Sequence, residues 1–124
     1  MLDEIIAAFA TPVGSSGLQV LRVAGPGSAE LVDKIFNFGP LPDFNKKRVI
    51  RSERRIAKLK GYQAAFGYLH DINDINKPLD QVVITKFVKG KSYTGEEQVE
   101  ISLHGGAALR LSLIHISEPT RQVR

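Results

Sequence analysis

Residues 91–106 read KSYTGEEQVEISLHGG, and this stretch decides the fold prediction because turn-forming glycines enclose a short strand pattern. One turn is centred on Gly95, and a second, at Gly105–Gly106, follows the strand. Glycine permits backbone torsions that other residues avoid, and it lets another group approach the main chain closely. Within the strand, Glu100 lies between two apolar neighbours, so alternation places its carboxylate on the opposite face. We therefore expect a carboxylate fixed on a strand and available to the donor groups of a ligand.

The composition is that of an ordinary globular chain with one domain at most. Its 124 residues are 43% hydrophobic and 24% charged, which is enough to build a core. No run approaches the roughly 20 apolar residues of a membrane-spanning helix. The chain opens with acids, unlike a secretory leader. The absence of cysteine excludes disulfides, thiolate catalysis and zinc–thiolate sites, and it fits a reducing cytoplasm.

The net charge of +4 conceals an uneven distribution of basic residues. Eight of the 17 Lys and Arg residues lie between Lys46 and Lys60, where Glu53 is the single acid. The rest of the chain has nine bases and twelve acids. This basic segment, residues 46–60, is either a solvated, mobile excursion or a phosphate-contacting patch for RNA. It contains no aromatic residue on which bases could stack, which weakens the RNA interpretation.

Five segments have the short apolar pattern of β-strands. They are residues 3–10, 18–24, 62–70, 80–88 and 98–103. The second segment has apolar residues on both faces, which is typical of a central strand. Between the third and fourth, residues 71–78 contain Asn, Asp and Pro and predict a hairpin turn.

Two helices are predicted beside these strands. Gly25–Gly27 ends the second strand, and Ser28 is placed to cap a helix that runs to about Phe36. A second helix begins near Ala107, and residues 37–60 predict a loop with a short helix at most. The order β-β-α-β-β-β-α indicates an α+β fold, with a mixed, mostly antiparallel sheet and a few helices, rather than a regular βαβ arrangement.

The last part of the chain has a different character. Residues 111–121 read LSLIHISEPTR, which resembles the translation of a common sequencing-library adapter. We therefore expect the domain to comprise residues 1–110 and residues 111–124 to be a non-native tail. Pro119 cannot continue a helix that starts at Ala107. His115 is accordingly discounted as a ligand.

Arg22 is the most informative charged residue outside the opening stretch. A guanidinium in a central strand must be paired, because burying an unpaired charge is very costly. Its partner is either Glu100 in an internal salt bridge or a ligand's carboxylate or heteroaromatic ring, to which it presents a planar fork. The sequence leaves both interpretations open.

Other polar motifs have a structural and a functional interpretation. His104 and His70 are each either a general base or a polar residue at the end of a strand. Thr94–Glu97 also matches a helix capping box. Gly90–Ser92 ends like a phosphate-binding loop, but Thr85 stands where that loop requires its first glycine, which argues against nucleotide binding here.

Two long motifs, at residues 10–26 and 92–106, together resemble a known family. Ala-Thr-Pro-Val-Gly followed by Leu-Arg-Val-Ala-Gly-Pro, and then Ser-Tyr-Thr-Gly-Glu-Glu through His-Gly-Gly, match the N-terminal domain of the MnmE (TrmE) family of tRNA modification GTPases. Residues 80–87 match the strand before the second motif. The resemblance covers roughly residues 2–37 and 61–110.

The resemblance implies a fold like that of the folate-binding aminomethyltransferases, a homodimer, and 5-formyl-tetrahydrofolate as cofactor. By motif position, the folate-contacting arginine is Arg22 and the glutamate is Glu100, and no catalytic residue or metal ligand is assigned. A guanidinium and a carboxylate suit the donor and acceptor edge of a pterin and the acidic tail of the cofactor.

The resemblance also implies a wider role. The one-carbon unit would serve the carboxymethylaminomethyl modification of the wobble uridine of tRNA, in the cytoplasm, without a membrane and with an MnmG-like FAD protein as partner. GTP, Mg²⁺ and K⁺ belong to a GTPase domain that this chain does not contain, so no catalysis is expected from the chain alone.

The sequence departs from the family pattern at a few positions. Val13 replaces a proline, Ser15–Ser16 replaces a basic-glycine pair, and Glu97 stands for Asp. Two alternatives remain open at this point. One is a stand-alone RNA-binding module that uses residues 46–60, and the other is an aminomethyltransferase fragment, against which the second motif argues.

Overall fold

The computed structural model describes residues 5–10, 18–40, 51–88 and 97–104, and these form a single six-stranded sheet with little helix. The strands are β1 Ile6–Phe9, β2 Gln19–Ala24, β3 Phe36–Phe38, β4 Gln63–Asp71, β5 Asp74–Phe87 and β6 Gln98–Leu103. The helices are α1, Ser28–Asp33, and a 3₁₀ helix, Ile56–Lys58. No helix in this part of the chain is long and apolar enough to cross a membrane.

The strand order in the sheet is β1-β2-β6-β5-β4-β3, and every neighbouring pair is antiparallel. β6, the last described strand in the sequence, lies between β2 and β5, and β5 forms a hairpin with β4. This places β6 near the centre of the sheet. β2 is likewise flanked on both sides, as its apolar pattern predicted. β6 begins and ends at the predicted residues.

The α+β prediction with a few helices is wrong for the described residues. Strands make up 56% of them and helices 12%, with a single α-helix. Two errors explain the difference. The helix from Ser28 ends at Asp33, and Phe36–Phe38 extends beside β4 as an edge strand. Most of the predicted turn at residues 71–78 belongs to β5, and the hairpin turn itself is only Ile72–Asn73. The helix predicted from Ala107 and the tail at 111–124 lie outside the described residues.

The core forms on one face of the sheet. α1 and the 3₁₀ helix pack there against alternate side chains of the strands. The buried apolar residues of this core include Leu21, Val23, Val32, Ile56, Leu69, Ile84, Val99, Ile101 and Leu103. Because side chains alternate along each strand, residues between these positions lie on the opposite face, which we call the open face.

Residues 51–60, the described part of the basic segment, are attached to the body of the domain. Ile56 is fully buried, and the carboxylate of Asp33 accepts hydrogen bonds from the backbone N–H groups of Ile56 and Ala57, at 2.8 and 3.1 Å. From β5, the buried Lys86 donates through Nζ to the carbonyl oxygens of Ala57 and Leu59. These contacts argue against a fully solvated excursion for this part of the segment, and its mobility stays a prediction.

Candidate functional site

Arg22 and Glu100 lie side by side on the open face. The antiparallel pairing of β2 with β6 sets Arg22 directly opposite Glu100. Side chains of directly opposed residues project from the same face of a sheet and contact each other. The sheet thus brings together two residues that are 78 positions apart in the sequence.

The two side chains form a hydrogen-bonded ion pair. Arg22 Nε donates to Glu100 Oε2 at 2.8 Å, and the buried Gln98 donates from Nε2 to the same oxygen at 3.1 Å. The side chain of Arg22 is 37% exposed and that of Glu100 is 24% exposed. The internal salt bridge considered in the sequence analysis is therefore present, and the pair can be reached from the open face.

The surroundings of the ion pair on the open face are mixed, with polar side chains beside Glu100 and apolar ones beside Arg22. Thr85 of β5 lies opposite Glu100, and Ala8 of β1 lies opposite Arg22. One row along the strands, Val83 pairs with Phe66, and these two side chains are 44% and 43% exposed. A charged pair beside exposed apolar side chains suits a ligand with a polar heterocycle and an apolar body.

Glu97, the last residue of the possible capping box, contacts α1; Thr94, which begins that motif, lies outside the described residues. Its Oε1 accepts from the backbone N–H of Gly27 at 3.3 Å, and its Oε2 accepts from that of Ala29 at 3.1 Å. The prediction that Ser28 caps the helix is wrong. Ser28 is the first helical residue, and its buried hydroxyl has no hydrogen-bond partner among the described residues. No local pattern could have identified a cap that comes from about 70 residues away.

His104 is held at the end of β6 by Asp80 of β5. The backbone N–H of His104 donates to Asp80 Oδ2 at 2.6 Å, and its Nδ1 lies 3.7 Å from Oδ1. The imidazole is largely exposed. This geometry agrees with a polar residue at a strand end, and the backbone contact attaches the end of β6 to Asp80 of β5.

His70 is buried in β4, which is separated from β2 by β6 and β5 in the sheet. Its Nδ1 lies 2.8 Å from the carbonyl oxygen of Asp71, and its Nε2 lies 3.5 Å from Nη1 of Arg51. Burial, aided by the positive charge of Arg51, lowers the pKa of His70 below its usual value of 6.5. Burial also lowers the pKa of Arg51. A neutral imidazole in this environment belongs to the packing of residues 51–60.

The arginines of the basic segment make contacts within the domain. Arg51 donates to the carbonyl oxygen of Asp33, and Arg55 donates to that of Ser52. The guanidinium of Arg54 lies 4.3 Å from the centre of the Phe38 ring. Within residues 5–10, 18–40, 51–88 and 97–104, no group of three or more acidic or histidine side chains is placed to hold a metal ion.

Comparison with protein families gives a match over nearly the whole chain. The family model described as the N-terminus of the GTP-binding protein TrmE matches residues 5–122. This match favours an N-terminal domain of that family over a stand-alone RNA-binding module.

Individual relatives agree with the family model. The chain is 38% identical over 104 residues to a protein named tRNA modification GTPase MnmE from Chlorobium chlorochromatii, covering 84% of the chain and 19% of that relative. It is 34% identical over 106 residues to the protein of the same name from Carboxydothermus hydrogenoformans, covering 86% of the chain and 20% of that relative. The chain therefore spans about a fifth of the length of these curated relatives.

Proposed function

The chain belongs to the family of TrmE N-terminal domains, and from this membership we propose that it binds a reduced folate for a tRNA modification GTPase. The cofactor we propose is 5-formyl-tetrahydrofolate, held by Arg22 and Glu100. One observation carries this proposal, namely the partly exposed ion pair of these two side chains on the open face.

The chemistry of the pair supports a pterin as the polar part of the ligand. A carboxylate is an acceptor for the N–H groups along the edge of a pterin, and a guanidinium supplies donors in a fixed fork. The fork also suits the carboxylates of a folate tail. Exposed apolar side chains one row away, at Val83 and Phe66, are available to an aromatic linker.

The role of the larger protein is part of the same proposal. In a complete relative, this domain would supply a one-carbon donor for the wobble uridine of tRNA, and a GTPase domain would bind GTP, Mg²⁺ and K⁺. The proposed partners are a second copy of the domain, an MnmG-like FAD protein and tRNA, in the cytoplasm. The names of the relatives support the tRNA-modification context.

Calorimetric titration of the 124-residue chain with 5-formyl-tetrahydrofolate tests the proposal. We expect saturable binding with a stoichiometry of about one site per chain. Inorganic phosphate and glutamate at the same concentrations control for binding of simple anions. Absence of heat and of ligand-induced thermal stabilisation, with the chain shown to be folded by circular dichroism, would reject the assignment.

Three variants test the residues, with a fourth as control. Loss of a hydrogen bond to a charged group costs about 1.5–3 kcal/mol, so Arg22→Ala and Glu100→Gln should each weaken binding about 10- to 100-fold. Arg22→Lys keeps the charge but lacks the fork, and it should also bind weakly. Lys58→Ala is the matched control, because it removes the same charge from an exposed position on the 3₁₀ helix. Equal affinities of R22A and K58A would exclude Arg22 from the site.

A further inference from the structure

We propose that Glu97 is a positioning residue that sets the register between β2 and β6 and so places Glu100 beside Arg22. The inference concerns a residue to which no ligand contact is assigned, and it rests on the proposed function for its ligand test alone. It starts from three hydrogen bonds that converge on one residue just before β6.

Glu97 contacts the chain at three successive points after β2. Its carbonyl oxygen accepts from the backbone N–H of Gly25 at 2.8 Å. Its carboxylate accepts from the N–H groups of Gly27 and Ala29 at 3.3 and 3.1 Å. The start of β6 is thereby attached to the turn after β2 and to the first turn of α1.

The carboxylate supplies what α1 lacks locally. The first N–H groups of a helix have no acceptor within the helix and are normally satisfied by a side chain at the N-cap. Here the N-cap is Gly27, which has no side chain and a positive φ of 86°, and Ser28 does not cap. A negative charge at this end is also favoured by the helix dipole. Glu97 therefore has a defined position with respect to α1.

That position fixes the strand register. Ala24, the last residue of β2, pairs with Gln98, which directly follows Glu97, and Arg22↔Glu100 is the pair two steps further along. A slip of two residues would keep the apolar side chains of β6 in the core, but it would set Glu100 opposite Val20 or Ala24 instead of Arg22. The hydrogen bonds of Glu97 fix the first residues of β6 against the end of β2. They therefore favour the register in which Arg22 and Glu100 are opposed.

An NMR measurement tests this inference without any ligand. In the ¹⁵N-labelled full chain, the Nε–H resonance of Arg22, assigned by its loss in Arg22→Lys, should exchange slowly because it donates to Glu100. In Glu97→Gln, an amide nitrogen replaces one acceptor oxygen, and we expect exchange of the Arg22 Nε–H to be at least about tenfold faster. Ile56→Val is the stability control, since it removes one methyl group from the hydrophobic core, on the face of the sheet opposite the ion pair.

The controls separate positioning from general destabilisation. Glu97→Asp keeps the charge on a shorter side chain, so its Arg22 Nε–H exchange rate should lie between those of the wild type and E97Q. If E97Q does not fold, E97D is measured in its place. The inference would be overturned if the Arg22 Nε–H exchanged at the wild-type rate in E97Q, or if its exchange rate rose equally in I56V. If E97Q does not fold, an E97D resonance no more perturbed than that of I56V would do the same.

Ligand binding provides a second readout. If the folate proposal is correct, E97Q should bind 5-formyl-tetrahydrofolate about tenfold more weakly than I56V, although Glu97 is not proposed to touch it. Wild-type affinity in folded E97Q would overturn the inference. If the wild type binds no folate, the proposed function fails, and the Arg22 resonance alone then decides the role of Glu97.

Discussion

Replacing Gly67 with alanine is expected to separate the edge strand β3 from the sheet. Gly67 of β4 pairs with Phe38, and a methyl group built on its Cα would lie 2.3 Å from the carbonyl oxygen of Asn37. The same methyl group would lie 2.4 Å from Cζ of Phe36. Ordinary carbon–carbon contacts are about 3.5–4.0 Å, so the overlap with the ring alone is about 1 Å.

The size of the effect follows from what has to move. The ring of Phe36 is fully buried, and the oxygen of Asn37 is part of the backbone of β3, so neither can shift without displacing the strand. Overpacking a core costs about 1–3 kcal/mol, and the backbone contact places this substitution at the upper end. About 3 kcal/mol is a large part of the 5–15 kcal/mol that stabilises a typical domain. A domain of this size should lose about 10–15 °C in Tm.

Urea unfolding followed by circular dichroism measures this loss, since the chain has no tryptophan. Phe36→Leu removes the ring atoms nearest the added methyl group. The cost of Gly67→Ala should therefore be at least about 1 kcal/mol smaller in the Phe36→Leu background, a coupling that a double-mutant cycle detects. A Gly67→Ala variant within 0.5 kcal/mol of the wild type, or strict additivity with Phe36→Leu, would refute the packing of β3 against β4.

Three further predictions concern the ion pair, the basic segment and pH. A double-mutant cycle with Arg22→Met and Glu100→Gln should give a coupling of about 1 kcal/mol or less in urea unfolding, because the pair is partly exposed; a larger value would contradict the described solvent access. Asp33→Ala leaves the backbone N–H groups at the start of the 3₁₀ helix without their acceptor, so it should lower the free energy of unfolding by about 1–3 kcal/mol. It should also make residues 51–60 more sensitive to trypsin, and unchanged digestion would count against the contact. Burial lowers the pKa of His70 in the folded chain, so its contribution to stability is complete above its unfolded pKa and declines as the pH falls below it. Unfolding free energies from pH 7.5 to 5 should therefore fall more steeply in the wild type than in His70→Gln, and parallel profiles would exclude this cause.

Local pattern was sufficient for the strands that form the site. β6 alternates Val99, Ile101 and Leu103 toward the core with polar residues between them, and its observed limits are those predicted from this alternation between two glycine turns. The opposition of Arg22 and Glu100 was predicted only as one of two possible pairings. Periodicity within each strand excludes register shifts of one residue, but the choice among shifts of two residues depends on contacts between distant segments.

Distant partners explain the errors as well. The run from Leu31 to Phe36 fits a helical face, yet the chain leaves the helix after Asp33 because Phe36 finds a strand partner in Leu69. A helix of six residues is too short to be stable alone, so its limits are set by tertiary contacts. Its true cap, Glu97, is 70 positions from Gly27. Propensity favoured Ser28 for that role, and tertiary structure overrode it.

The position of the ion pair supports the proposed binding role. Arg22 and Glu100 lie on two interior strands, where an apolar cross-strand pair would stabilise the sheet at least as well as a partly exposed salt bridge. The fold therefore does not require these charges. The core face is covered by α1 and the 3₁₀ helix. The charged Lys86 is buried on that face, and two backbone carbonyl oxygens accept hydrogen bonds from its ammonium group. On the open face the charges of the pair remain accessible, which is the condition that a recognition site must meet and that a structural ion pair does not need.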